Sequence, residues 1–320
     1  MARTRICVLM CTYNAERTVE QAIGSILNQT YRDFEFLIID DGSSDHTPQL
    51  IEAQAAADSR IRLLRHHENK GLTARLNEGL LLTEAEYVFR MDADDESNCE
   101  RIESQYAVMK RRRHVAAAGS YIHMMGVRQG KDRLVKPPVT HDEIARILPT
   151  QNCIFHPSVV LRRSVILDEG LYRSEFLSAQ DYDLWLRLCR KGHELTNVPL
   201  PLLRYRYSVS GITLARKWEQ LFYVLMAQTS HEFPEMALDL VREIATRRQQ
   251  EYNKKRFLRD VAGGTCRDLL RLGQRKETFR ILDQYGRQLG VANTLILVAK
   301  LLLNPFRKST FLGTSPKGRS

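Results

Sequence analysis

The sequence predicts an α/β fold: a mostly parallel central sheet with helices on both faces, followed by a helical extension. Three observations carry this. In the first half, apolar strand-like runs alternate with segments of helical periodicity, as in βαβ units. Clusters rich in Asp, Asn and Gly sit where those strands end, which is where open parallel sheets bind ligands. After about Gly211 the pattern turns helical and basic.

Taken in order, Arg5–Met10 is a buried-strand run, and Val19, Ala22, Ile23, Ile26 and Leu27 recur at helical spacing. Phe34–Ile39 is the second strand. Thr47 followed by Pro48 is a helix start, with Thr as N-cap and Pro in the first turn. Ile61–Leu64 is the third strand, Leu72–Leu82 a helix and Tyr87–Met91 the fourth strand. Runs this apolar fit a sheet covered on both faces. Val115–Ala118 reads as a strand, residues 120–139 as a hairpin or loop excursion broken at Pro137-Pro138, and Thr140–Leu148 as a short helix. The apolar run Cys153–Leu161 is interrupted by His156-Pro157. Asp181–Lys191 carries Leu184, Trp185, Leu188 and Cys189 at helical spacing and closes at Gly192. Residues 194–207 read as edge strands.

A chain of 320 residues, 43% hydrophobic, supports one large domain plus an extension and excludes global disorder. The expected boundaries are an α/β domain over 1–215, a basic and mostly helical extension over 216–308, and a disordered tail over 309–320. The six cysteines contain no Cys-x-x-Cys pair, so neither a disulfide framework nor a cysteine zinc site is expected, and a reducing compartment is favoured. Met1–Arg5 runs straight into a strand without a signal-peptide pattern, which points to the cytoplasm.

Charge is unevenly placed. Residues 1–215 hold 28 basic and 28 acidic side chains, whereas residues 216–320 hold 20 and 10. Basic helices are either solvated or face an anionic surface: membrane phospholipid, an anionic lipid-linked substrate or nucleic acid. No nucleic-acid-binding module is recognisable, so nucleic acid is not an expected partner. The apolar run Leu295–Leu303 is too short to span a bilayer and is interrupted by Lys300. It suits either a peripheral position at a membrane interface or packing against other helices.

The densest chemistry is Asp92-Ala93-Asp94-Asp95, at the end of the fourth strand. Carboxylates this close repel one another, and a hard divalent cation shared with phosphates relieves that repulsion. An acidic loop alone is more often a solvated turn. Here Thr12-Tyr13-Asn14 follows strand one, Asp40-Asp41-Gly42-Ser43 follows strand two and Asn69-Lys70-Gly71 follows strand three. All four clusters lie at the same end of the predicted sheet, which argues for one composite site.

These pieces, together with Ser25-Ile26-Leu27-Asn28-Gln29-Thr30-Tyr31, Leu76-Asn77 and Asp181-Tyr182-Asp183-Leu184-Trp185, resemble the family 2 glycosyltransferases. That group is inverting and has the GT-A fold; the resemblance covers residue 5 to about 207. It implies a nucleotide-sugar donor, most often a UDP-sugar, and a glycan or lipid-linked acceptor of bacterial polysaccharide type. By the family's roles, Cys11, Thr12, Tyr13 and Glu16 lie near the nucleoside. Asp41 accepts a hydrogen bond from the base, although Asp-Gly is also an ordinary turn. Asp94 holds Mn²⁺ or Mg²⁺, Asp92 contacts the donor, and Asp95 is a supporting charge. Asp181 is the general base, with Asp183 as the alternative. Gln180, where the family has Glu, and His156 lie on the acceptor side; His156 equally suits a structural role. Lys70 and Arg206 approach phosphate, Lys70 being as readily an exposed turn residue. Trp185 is at core spacing.

Two other activities fit these residues less well. A sugar-phosphate nucleotidyltransferase needs a Gly-rich basic loop after strand one, which Thr12-Tyr13-Asn14-Ala15-Glu16 is not. A non-catalytic nucleotide-sugar-binding relative has no need of both Asp94 and Asp181.

Overall fold

The computed structural model describes residues 5–125, 132–206, 214–252, 254–271, 275–289 and 294. The chain forms two compact units. The first comprises Met1–Met124, Leu134–Arg146 and Cys153–Arg206; the second comprises Met125–Arg133, Ile147–Asn152 and Tyr207–Ser320.

The first unit alternates strands and helices: β1 (Ile6–Thr12), α1 (Val19–Leu27), β2 (Glu35–Asp40), α2 (Thr47–Ala57), β3 (Ile61–Arg65), α3 (Leu72–Leu82) and β4 (Tyr87–Asp92). It continues through β5 (Glu96–Ser97), α4 (Arg101–Arg111), β6 (Val115–Met124), β7 (Arg133–Val135) and α5 (His141–Ile147). A 3₁₀ turn (His156–Ser158), β8 (Val160–Arg162), α6 (Arg163–Asp168), α7 (Gln180–Arg190) and β9 (Glu194–Tyr205) complete it. Along the sheet the order is β3-β2-β1-β4-β8-β6-β9-β5. The β3-β2-β1-β4 half is parallel throughout. Strands β1, β2 and β4 are almost continuously buried, as their Val, Ile, Leu and Phe content requires of a sheet covered on both faces. The β1–β4 register sets Cys11 beside Asp92, and β1–β2 sets Thr12 beside Asp40. The polar ends of the first, second and fourth strands are therefore adjacent.

Two expectations need correction. Strand β6 runs on to Met124, past the expected end at Ala118, and β7 pairs with it inside the expected excursion of 120–139. Gly119 is there because Asn197 Oδ1 would lie 2.2 Å from any Cβ at that position. Residues 194–205 are one strand, β9, which pairs with β6 along its length and has a second neighbour, β5, only at Leu203 and Arg204. Pro199 falls within a register shift between Ser120 and Tyr121, and Pro201 pairs opposite Tyr121.

In the second unit, α8 (Leu214–Glu232), α9 (Leu238–Glu251), α10 (Lys254–Arg271) and α11 (Arg275–Leu289) pack on one another. Leu221, Leu225, Met226, Val241, Ala245, Leu258, Ala262, Cys266 and Ile281 are buried. Among the described residues no helix is long and apolar enough to cross a membrane. The Leu295–Leu303 run and the 309–320 tail lie outside the described residues.

Candidate active site

The strand-end loops are tied together by short polar contacts. Asn14, at φ 51°, donates its amide to Ser43 Oγ (2.9 Å) and accepts Ser44 N–H on Oδ1 (2.9 Å). Thr47 is not the N-cap expected of it. It is the first residue of α2, and its hydroxyl accepts Ala15 N–H at 2.7 Å, fastening the first loop to the second. Glu16 is engaged the same way: its carboxylate accepts His46 N–H (3.2 Å) and faces His46 Nδ1 (3.1 Å). Those His46 hydrogen bonds lower its pKa.

Asp41 is buried and joins three loops. Its amide donates to Thr12 O (2.8 Å). Its carboxylate accepts Lys70 N–H (2.9 Å), Gly71 N–H (2.8 Å) and Arg75 Nε–H (2.6 Å). Lys70 thus contributes its backbone here, and its side chain is exposed. Gly42 sits at φ +75° with Glu68 C only 2.9 Å from where a Cβ would stand, so the second and third loops touch only if this residue is glycine. Tyr13 is 51% exposed, whereas the Thr12 hydroxyl is buried and makes no hydrogen bond.

The acidic loop meets this arrangement along the β1–β4 edge. Asp92, Asp94 and Asp95 bring carboxylate oxygens within 4.8 Å of one another. Burial, then the neighbouring Asp92 charge, push the Asp94 carboxyl up to about 6. The same two causes raise Asp95, whose Oδ2 is buried without a partner. Three hard oxygen donors, two of them reluctant to ionise, form a set that a divalent cation satisfies. The residues present therefore fit Mn²⁺ or Mg²⁺. The chain supplies part of the counter-charge itself: Asp92 is ion-paired with buried Arg90. Arg206 donates its amide to Asp95 Oδ1 (2.7 Å) and its Nε–H to Asp94 O (2.8 Å), so the end of β9 closes on the loop.

On the other side, Asp181 is the second residue of α7, half-buried in its first turn, after Ala179 in the left-handed conformation at φ 58°. Gln180 is buried. Asp183 is 1% exposed and held by Arg173 and by Arg187, so its carboxylate is committed to structure. His156 is buried too. Its Nε2 lies 2.8 Å from the Tyr172 hydroxyl, and its ring packs on Tyr172 and Trp185. Burial holds the imidazole well below its usual pKa and so neutral. The charges of both Arg90 and Asp181 act on the Tyr172 phenol, which links the acidic loop's surroundings to those of Asp181.

Several motif residues turn out to be scaffold. Gln29 is buried, donates to Asn98 O (2.7 Å) and accepts Ile102 N–H (3.0 Å), clamping α1 to the exit of the acidic loop. Asn77 exchanges hydrogen bonds with the Tyr172 backbone. Sequence reasoning missed Arg75, Arg90 and Tyr172. A cation within an apolar strand or on a helix's buried face is a usable signal, because unpaired charge is rarely buried.

Comparison with known proteins agrees with this geometry. The description "Glycosyl transferase family 2" matches residues 7–171. The chain belongs to that family. It is an enzyme, a glycosyltransferase. An uncharacterized glycosyltransferase of Haemophilus influenzae is 31% identical over 210 residues, 63% of this chain and 65% of the relative. The chain thus spans a little under two thirds of that relative's length. The Escherichia coli UDP-Glc:alpha-D-GlcNAc-diphosphoundecaprenol beta-1,3-glucosyltransferase WfgD is 28% identical over 225 residues, 68% of this chain and 85% of the relative. Among solved structures, the mannosyltransferase PcManGT of Pyrobaculum calidifontis, in complex with GDP-Man and Mn²⁺, superposes with a TM-score of 0.58 at 16% identity. It covers 96% of this chain and 82% of its own, and carries the fold alone. The fold is thereby of the GT-A type.

Proposed function

We propose that this glycosyltransferase moves a sugar from a nucleotide donor, most readily a UDP-sugar, to a hydroxyl of a glycan or lipid-linked acceptor with inversion at the anomeric carbon. The convergence of the strand-end loops on the Asp92–Asp94–Asp95 cluster carries the reading. The first loop, through Cys11, Thr12, Tyr13 and Glu16, lies beside the nucleoside. Asp41 uses three acceptor positions on the protein; a carboxylate has about four, which leaves one for a base N–H. Asp94 holds the divalent cation, Asp92 contacts the donor, and Lys70 and Arg206 lie near the diphosphate. A divalent cation held there by Asp94 would supply positive charge to the diphosphate leaving group.

Asp181 takes the acceptor hydroxyl's proton while its oxygen bonds to the anomeric carbon and the bond to the diphosphate breaks. Asp183, saturated by two guanidinium groups, is unsuited to that role. Gln180 stands on the acceptor side, and His156 acts there through Tyr172. The UDP-sugar and lipid-linked acceptor in the WfgD name support this choice of substrates. A thermal-shift panel of nucleotide sugars with Mn²⁺ tests it. UDP-sugars should raise Tm; a panel in which no nucleotide does so contradicts the proposal.

A lipid-linked acceptor also implies work at a membrane face. The ten-charge basic excess of residues 216–320 favours the inner, anionic side of the membrane. Each basic residue near such a surface contributes about 1 kcal/mol, screened by salt. The full chain should therefore sediment with phosphatidylglycerol-containing vesicles at low salt and less at high salt. Absence of sedimentation at low salt would leave the basic helices as a solvated or packed part of the fold.

A further inference from the structure

The acidic cluster has a second unusual feature directly beneath it. Arg90 stands in β4, flanked by Phe89 and Met91, and is only 3% exposed. It makes an ion pair with Asp92. Its Nε and Nη1 are buried and have no hydrogen-bond partner. A buried guanidinium with unpartnered donors is costly. Packing gives no reason for it, since an apolar residue in this strand would bury without that cost. Its charge is also felt by Asp94, Asp95 and His156. A second cation, Arg101, is buried nearby and donates to Arg90 O at 2.6 Å, but its guanidinium meets backbone carbonyls, Gln105 and Met91 and no carboxylate. Of the two, Arg90 is the one that forms an ion pair with the cluster.

Three carboxylates within 4.8 Å of one another offer a cation more ligands than one metal shared with a diphosphate needs. A cation taking all of them would bind tightly without nucleotide, and Asp92 would be lost to the donor. We propose that Arg90 is a positioning residue: by pairing with Asp92 from beneath, it withholds that carboxylate from the divalent cation, leaves the cation to Asp94, and keeps free metal binding weak until a nucleotide adds its phosphates. This rests on the donor-site reading above. It assigns Arg90 no contact with the reacting atoms.

Mn²⁺ titration of the full chain, followed by the electron paramagnetic resonance signal of free Mn²⁺ without nucleotide, tests it. Arg90→Met should bind Mn²⁺ about tenfold or more tightly than wild type, because ligand charge sets affinity in such sites. Arg90→Lys, which keeps the charge, should return towards wild type. Arg90→Met/Asp92→Asn should lose that gain, because the carboxylate that Arg90 withholds is then no longer there to take the cation. Nucleotide should then tighten Mn²⁺ binding strongly in wild type and little in Arg90→Met. A folded Arg90→Met with unchanged or weaker Mn²⁺ binding overturns the inference. If that variant does not fold, Arg90→Gln, which also removes the charge, takes its place, and unchanged or weaker Mn²⁺ binding there overturns the inference equally. A wild-type chain that binds no Mn²⁺ with or without UDP removes the donor-site reading itself, and this inference with it.

Discussion

Asp181→Asn should abolish transfer while leaving the donor bound. The amide keeps the size and one acceptor oxygen of the carboxylate but cannot take a proton, and loss of a general base costs about 10²–10⁴-fold in kcat. UDP-dependent stabilisation with Mn²⁺ should match wild type, because Asp181 lies on α7 and not on the donor loops. Asp183→Asn serves as the contrast. Removing that charge strands Arg173 and Arg187 around a buried position, which costs about 3–5 kcal/mol of stability. The two variants thus separate a residue that does chemistry from one that holds the helix. Near wild-type turnover in Asp181→Asn would move the base elsewhere.

Asp94→Ala should lose metal-coupled donor binding. Second-sphere changes at metal sites already cost about 10–100-fold in affinity, and removal of a direct ligand costs at least that. Wild type should gain Tm from UDP with Mn²⁺ and much less with EDTA; Asp94→Ala should show the small response under both conditions. Metal-free Asp94→Ala should be no less stable than metal-free wild type. At neutral pH the Asp94 carboxyl, pushed up to about 6 by burial and by Asp92, is ionised against its surroundings, and the alanine relieves that. Unchanged metal dependence in this variant would take the cation away from Asp94.

The parallel half of the sheet could be read from the chain because its strands are continuous apolar runs whose burial leaves no other arrangement. The strand-end loops could be read because Asp-Gly, Asn-Lys-Gly and the acidic run cannot continue a buried strand. Where the fold depends on contacts between distant residues, local pattern misled. The apolar run of β6 reads as ending at Ala118, whereas pairing with β9 carries the strand to Met124 through Gly119, whose missing side chain leaves room for Asn197. The site shows the same division. Asp41 was visible as a motif residue, but its three partners come from 29 to 34 positions away. Asp181 and Asp183 are alike in sequence, and only the two arginines around Asp183 tell them apart. The acidic run alone does not reveal that Arg90, two residues before Asp92, offsets one of its three charges.

A direct displacement assisted by one carboxylate inverts the donor's anomeric configuration in the new glycosidic bond. The full chain, Mn²⁺, an α-linked UDP-sugar identified by the thermal-shift panel and a hydroxyl acceptor should yield a product whose anomeric proton coupling, read by NMR, reports a β-linkage, with the signal absent in Asp181→Asn. An α-linked product would mean retention of configuration, and would contradict both the assigned mechanism and the role given to Asp181.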